Sequence, residues 1–171
     1  LMERYRNYLA LMARLQMGRL RGKLDVEDLL QEVSLEAHRE IARFRGRSEP
    51  EFLAWLRRIL SGIYSNQLRH YLGTQRRDAR RERPIAADLE RSSRILEAGL
   101  IAPLTSPSGQ AAKREQAVIL ADALEALPGV YREVIILRHL EGLSFPEVAK
   151  RMERTEDSVK NHWARALARL R

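Results

Sequence analysis

The sequence predicts an all-α protein built as two small helical domains joined by a flexible linker. Three observations carry that expectation. Leu, Ala, Arg and Glu dominate a chain with few aromatics, 6 %, a mix rich in helix formers. Apolar residues recur at i, i+3, i+4 and i+7 along most of it, the period of a helix face. Between residues 84 and 113 that period fails, and Pro84, Pro103, Pro107, Gly99 and Gly109 gather with five Ser or Thr, the composition of a linker. A length of 171 residues suits one large domain or two small ones. The expected division is a domain over 1–83, a linker over 84–113 and a domain over 114–171.

The elements follow in order. Residues 3–20 bring Tyr5, Tyr8, Leu9, Met12, Leu15 and Leu20 to mostly helical spacing. A helix over 25–44 has Asp25 as its cap and Glu27 and Asp28 in its first turn, where the dipole favours negative charge. Leu29, Leu30, Val33, Ala37, Ile41 and Phe44 form its apolar stripe. Arg45-Gly46-Arg47 breaks the pattern. Ser48-Glu49-Pro50-Glu51 is a capping box. Phe52, Trp55, Leu56, Ile59, Leu60 and Ile63 then recur with the strongest helical period in the chain. That helix is expected to run through Asn66 toward Tyr71. Within the linker a short helix over 87–98 is expected, and TSPSG at 105–109 reads as turn. Helices over 113–127 and 130–141 are stopped by Pro128-Gly129 and by Gly142. Ser144-Phe145-Pro146-Glu147 is a second capping box, opening a short helix to Met152. Thr155 caps the last helix.

Composition excludes several functions. The chain has no cysteine, which removes disulfides, Cys-based zinc sites and a thiol nucleophile. Its apolar runs are too short for a membrane span of ~20 residues, and no signal peptide is visible. His38, His70, His139 and His162 are scattered, and no HExxH, Walker lysine loop, glycine-rich dinucleotide turn or GxSxG occurs. No enzyme, cofactor or metal is expected. The net charge of +8 points to a polyanion, nucleic acid first. Charge is also segregated. Residues 25–36 hold five acids and no Lys or Arg, whereas 69–83 hold six Arg and two acids. Two blocks of opposite sign suit two different partners better than one.

Residues 144–171 have the outline of a helix-turn-helix. Val148, Ala149 and Met152 are expected to pack against Val159, Trp163 and Ala166. Glu156, Asp157, Ser158, Lys160, Asn161, His162 and Arg165 are expected outward, types that neutralise phosphates or hydrogen-bond base edges. Trp55, at perfect helical spacing, reads as core rather than as a base-stacking platform. The Arg run at 76–83 is the better phosphate contact.

DVEDLLQEVSLEAHREIARFRGRSEPEFLAWLRRIL resembles region 2 of the sigma-70 family of bacterial RNA polymerase sigma factors. ALEALPGVYREVIILRHLEGLSFPEVAKRMERTEDSVKNHWARALARLR resembles their region 4. Region 2, a linker and region 4 is the layout of the extracytoplasmic function (ECF) group, and ERYRNYLALMARLQ with QRRDARRE is similar to its planctomycete type. The resemblance implies a cytoplasmic, non-enzymatic, monomeric promoter-specificity factor. It implies that Asp25, Asp28, Gln31 and Glu32 dock on the β′ clamp helices of core RNA polymerase, and that the helices at 118–140 meet the β-flap. It implies −10 contacts from Phe44, Arg45, Arg47, Ser48, Asn66, Arg69, Arg76 and Arg77. It implies −35 contacts from Thr155, Ser158, Lys160, Asn161, His162 and Arg165. An anti-sigma factor or a Ser/Thr kinase is the regulator such a family implies. Three positions depart from the family pattern: Glu153 and His162 stand where many members have Gly and Arg, and Gly62-Ile63 where many have Asn. The alternatives are a stand-alone helix-turn-helix transcription regulator, which leaves the acidic block unexplained, and a decayed sigma fold serving as an interaction module.

Overall fold

The structure, a computed structural model, describes residues 2–17, 25–71, 79–98 and 110–170. Helices account for nearly all of them: α1 (Met2–Met17), α2 (Val26–Glu40), α3 (Glu49–Tyr71), α4 (Ala79–Ala98), α5 (Gln110–Glu125), α6 (Gly129–Ile135), α7 (Phe145–Arg151) and α8 (Glu156–Leu170). None of these helices is long and apolar enough to cross a membrane.

The residues from Tyr8 to Ala13 are all buried. A helix with one apolar stripe would expose part of such a run, so burial on every side marks a central helix. α1 is walled by α2, α3, α4 and α5. The Tyr8 hydroxyl, fully buried, donates to Ser93 Oγ on α4 at 3.0 Å and accepts from Arg57 Nη1 on α3 at 2.8 Å. Arg57 continues to Glu90 at 2.9 Å. These bonds satisfy polar atoms that burial would otherwise leave costly. They also raise the affinity of the Arg57 guanidinium for its proton, although burial alone would lower it.

α2 begins as expected, with the Asp25 carboxylate accepting from Glu27 N–H at 2.7 Å. Leu29, Leu30, Val33 and Ala37 are buried. Ile41 leaves that stripe and is 38 % exposed. The helix tightens there to a 3₁₀ turn, Ile41–Arg43, whose three residues per turn rotate the side chain off the buried face. At the start of α3 the Glu51 carboxylate accepts from the backbone N–H of Arg47 (2.7 Å) and of Ser48 (3.1 Å). Those bonds hold it below the usual carboxylate range.

The expected linker differs most. Its boundary at residue 84 and its short helix over 87–98 give way to one helix from Ala79 to Ala98. Pro84 reads as a breaker in the sequence, but Ile85, Leu89 and Ser93, at i, i+4 and i+8, are buried. Packing of that face outweighs one unfavourable position. Residues 105–109 lie outside the described residues.

α5 then lies against α1 and α4, so residues of the N- and C-terminal parts share one core. Ala117, Val118, Ala121, Leu124 and Leu127 are buried in it. A buried Val or Leu contributes about 1.5–3 kcal/mol, against about 0–1 kcal/mol for an exposed ion pair. The apolar face therefore sets the strength of this packing. Asn7–Asp122 (2.8 Å) and the Arg14–Glu125 pair set its register.

α6 runs on into a π turn, Ile136–Leu140. Gly142, at φ +74°, ends it. The second capping box is complete: Glu147 N–H donates to Ser144 Oγ, and Ser144 N–H to the Glu147 carboxylate. A smaller core of Val134, Leu137, Val148, Ala149 and Val159 holds α7 against α8, with Met152 and Trp163 packed on it. Ala166 sits in the larger core instead.

Candidate functional site

Three exposed helix faces carry the predicted residues. The first is the outer side of α2. Asp25, Asp28, Gln31 and Glu32 are all exposed. Glu32 is also used within the fold, accepting from Gln67 Nε2 at 2.9 Å. Beside these acids stands Leu35, 59 % exposed, which residue type alone does not single out. Its signal is its position off the buried stripe, in line with Asp28, Gln31 and Glu32. A large aliphatic among acids on an open face suits a protein partner with apolar and basic groups.

The second face is the loop 44–48 with the outer side of α3. Phe44 does not point outward as an expected contact would. Its ring is half-buried, packed on Phe52 (5.5 Å, edge-on) and Trp55 (5.2 Å). Gly46 makes room for it: a Cβ there would lie 2.2 Å from the ring. Trp55, half-buried in the same cluster, is core, as the spacing predicts. Arg45, Arg47 and Ser48 are exposed, the Ser48 side chain hydrogen-bonding Glu51. Along α3 the exposed stripe runs Ala54, Arg58, Gly62, Asn66, Arg69. Asn66 accepts from Arg69 Nη2. Arg58 is a further member of this face that the motifs do not mark, and its i, i+4 and i+8 relation to Gly62 and Asn66 is the signal that identifies it. Gly62 has open space where a side chain would stand. Arg76 and Arg77 lie outside the described residues.

The third face belongs to α8. Thr155 Oγ1 caps it by accepting from Ser158 N–H at 3.3 Å. Asp157, Lys160, Asn161, Ala164, Arg165 and Ala168 are exposed, a stripe whose alanines leave room for close approach. Lys160 pairs with Glu156 at 2.7 Å, which raises its affinity for the proton. Two expected contacts turn inward. His162 Nδ1–H donates to the Ser158 carbonyl at 2.5 Å, and its ring lies 5.6 Å from that of Tyr131. Ser158, one turn earlier on the same side, is likewise half-buried. Helical geometry explains both: 158 and 162 share a face with Val159 and Ala166, toward α6.

α8 is fixed from behind. Trp163 Nε1–H donates to His139 Nε2 on the π turn at 2.9 Å, the rings nearly parallel. Burial, then the neighbouring Arg138, depress the His139 pKa, consistent with a neutral, accepting Nε2. The turn before α8 is a Schellman motif. Arg154 N–H reaches the Ala149 carbonyl at 3.0 Å, and Glu153 N–H reaches Lys150 at 3.4 Å. It places Glu153 at φ +53°. The left-handed conformation that glycine would take freely is here imposed on a glutamate.

Comparison with known proteins matches two stretches of the chain to family models. Residues 4–77 match the family described as Sigma-70 region 2, and residues 117–170 that described as Sigma-70, region 4. The ECF RNA polymerase sigma-E factor of Escherichia coli (strain K12) is 31 % identical over 144 residues, covering 83 % of this chain and 70 % of that one. The protein of the same name from Haemophilus influenzae is 30 % identical over 167 residues, covering 97 % and 81 %.

Proposed function

The chain belongs to the sigma-70 family of RNA polymerase sigma factors, in its ECF group, and from that membership we propose how its three faces divide the work. As a sigma factor it joins core RNA polymerase and directs initiation at promoters. The α2 face, with Asp25, Asp28, Gln31, Glu32 and Leu35, docks on the β′ clamp helices. Loop 44–48 and the α3 stripe through Arg58, Asn66 and Arg69 take the melted −10 strand, together with Arg76 and Arg77. The α8 stripe reads the −35 element in the major groove through Lys160, Asn161 and Arg165. The β-flap meets the helices at 118–140. The observation that carries this division is the difference in side-chain type between the two faces, acids with one exposed leucine on α2 against Lys160, Arg165 and the amide of Asn161 on α8. The factor works where the polymerase is, in the cytoplasm, and an anti-sigma factor or Ser/Thr kinase is its candidate regulator.

The test is retention of the chain on purified core RNA polymerase, followed by run-off transcription from a genomic fragment library. Discrete start sites with a shared pair of upstream elements are the expected result. Asp28→Lys with Gln31→Lys should abolish retention and leave the helical content unchanged. DNA binding by a dimer with no affinity for polymerase would instead support a stand-alone helix-turn-helix regulator.

A further inference from the structure

Two acids in the first turn of α8, Glu156 and Asp157, belong to none of the contacts assigned above. They stand beside the face offered to DNA, where a carboxylate is repelled by phosphates. The structure turns both on Lys160. Lys160 Nζ donates to Glu156 Oε1 at 2.7 Å, and both side chains remain open to solvent. Glu four residues before Lys is the favoured order of such a pair on a helix. Asp157 adds a weaker attraction for the same ammonium. Lys160 Nζ also lies over the Phe145 ring of α7, 5.9 Å from its centroid, within the range of a cation–π contact. That ring is itself fixed, edge-on to Trp163 at 5.5 Å, and Trp163 is tied to His139. The ammonium is therefore restrained from two helices.

A lone lysine on an exposed helix is a flexible point charge, and next to DNA it goes to the nearest phosphate, whatever the sequence. Lys160 differs in two ways. Its charge is balanced by Glu156, which weakens the pull of any phosphate. Its reach is bounded by the carboxylate on one side and the Phe145 ring on the other. An ammonium has three donors, so those not spent on Glu156 stay available. Beside it the exposed Asn161 and Ala164 continue the outer stripe. In the major groove guanine O6 and N7 are the acceptors that a positioned lysine meets. We propose that Glu156 is a positioning residue for −35 recognition: it withholds Lys160 from the phosphates and directs it to a guanine edge. The inference rests on the promoter reading above.

The test compares the parent chain, Glu156→Gln, Lys160→Ala and the double variant, each with core polymerase on promoters randomised through the −35 element. Lys160→Ala identifies the position that Lys160 reads, as the one where a guanine preference is lost. At that position Glu156→Gln should relax the preference about fivefold or more. Its released lysine should add a phosphate contact, steepening the fall of log Kobs with log salt by about 0.9. With Lys160 already replaced, Glu156→Gln should change neither quantity. A carboxylate that only supports the first turn of α8 through the helix dipole would move the urea midpoint and leave both readouts alone. Parent-like preference and slope in Glu156→Gln therefore overturn the inference while the promoter reading stands. An effect that persists without Lys160 overturns it too, since Glu156 would then act on DNA by itself. If the parent shows no −35 preference at all, the promoter reading has failed and the inference falls with it.

Discussion

At the level of single residues the C-terminal part shows one cost and one switch. Glu153 sits at φ +53°, a conformation that costs an L-residue about 1–2 kcal/mol. Glycine would remove that cost and add about 0.5–1 kcal/mol of unfolded-state entropy. Glu153→Gly should therefore stabilise the chain by about 0.5–1 kcal/mol, read as a higher urea midpoint at unchanged slope. No change would mean the Schellman geometry holds Glu153 without strain. His139 gives the switch. Its Nε2 accepts from Trp163 at 2.9 Å, and burial with Arg138 lowers its pKa from 6.5. Stability from a depressed histidine is fully present above pH 6.5 and is lost as pH falls through the folded value. In a Trp55→Phe background, Trp163 fluorescence should shift to the red on acidification below pH 6.5. His139→Gln, which keeps an acceptor without a titration, should remove the shift. A shift that survives in that variant would assign the transition to another group.

Among the elements, what is legible in the sequence divides along a physical line. Helices whose fate is decided locally are readable: Asp25, Ser144 and Thr155 cap where their side-chain chemistry says they should. Elements decided by tertiary burial are not. α4 carries through Pro84 because Ile85, Leu89 and Ser93 find α1 and α3, and no local signal announces those partners. The candidate sites divide likewise. Residue type picks out the acidic α2 face and the exposed Lys160, Asn161 and Arg165 of α8. It does not give the facing direction of Phe44, Ser158 and His162, since only the packed core decides which side of a helix or loop is outward. That distinction yields a test on α8. Asn161→Ala and Arg165→Ala, on the outer stripe, should each weaken the −35 preference by about 1–3 kcal/mol for each base the side chain reads. His162→Ala should loosen the packing on Tyr131 and lower thermal stability while leaving the base preference in place. Altered base preference in selection from randomised −35 sequences by the His162 variant would return that residue to the reading face.

For the whole molecule, one partly buried carboxylate reports on how α5 is held against α1 and α6. Burial alone would raise the Glu125 pKa, but Arg14 and Arg132 on either side outweigh it and hold the carboxyl below its ordinary 4.5. A depressed acid contributes stability that is complete above pH 4.5 and is lost as pH falls through the folded value. Charge-assisted bonds of this kind are worth about 1–2 kcal/mol once solvent screening is discounted. That is less than the apolar face of α5 supplies through Val118, Ala121 and Leu124. The two contributions therefore make different predictions. Neutralising Glu125 should lower stability by about 1–2 kcal/mol while the native helical content stays unchanged. Glu125→Gln is expected to lower the urea midpoint at pH 7, and to lessen the further loss of stability that the parent chain shows below pH 4.5. Circular dichroism of the native chain should stay helical, because α5 keeps its own backbone hydrogen bonds. Urea midpoints that match at pH 7 would show that the apolar face alone holds α5 and that the Arg14–Glu125–Arg132 cluster only sets its register.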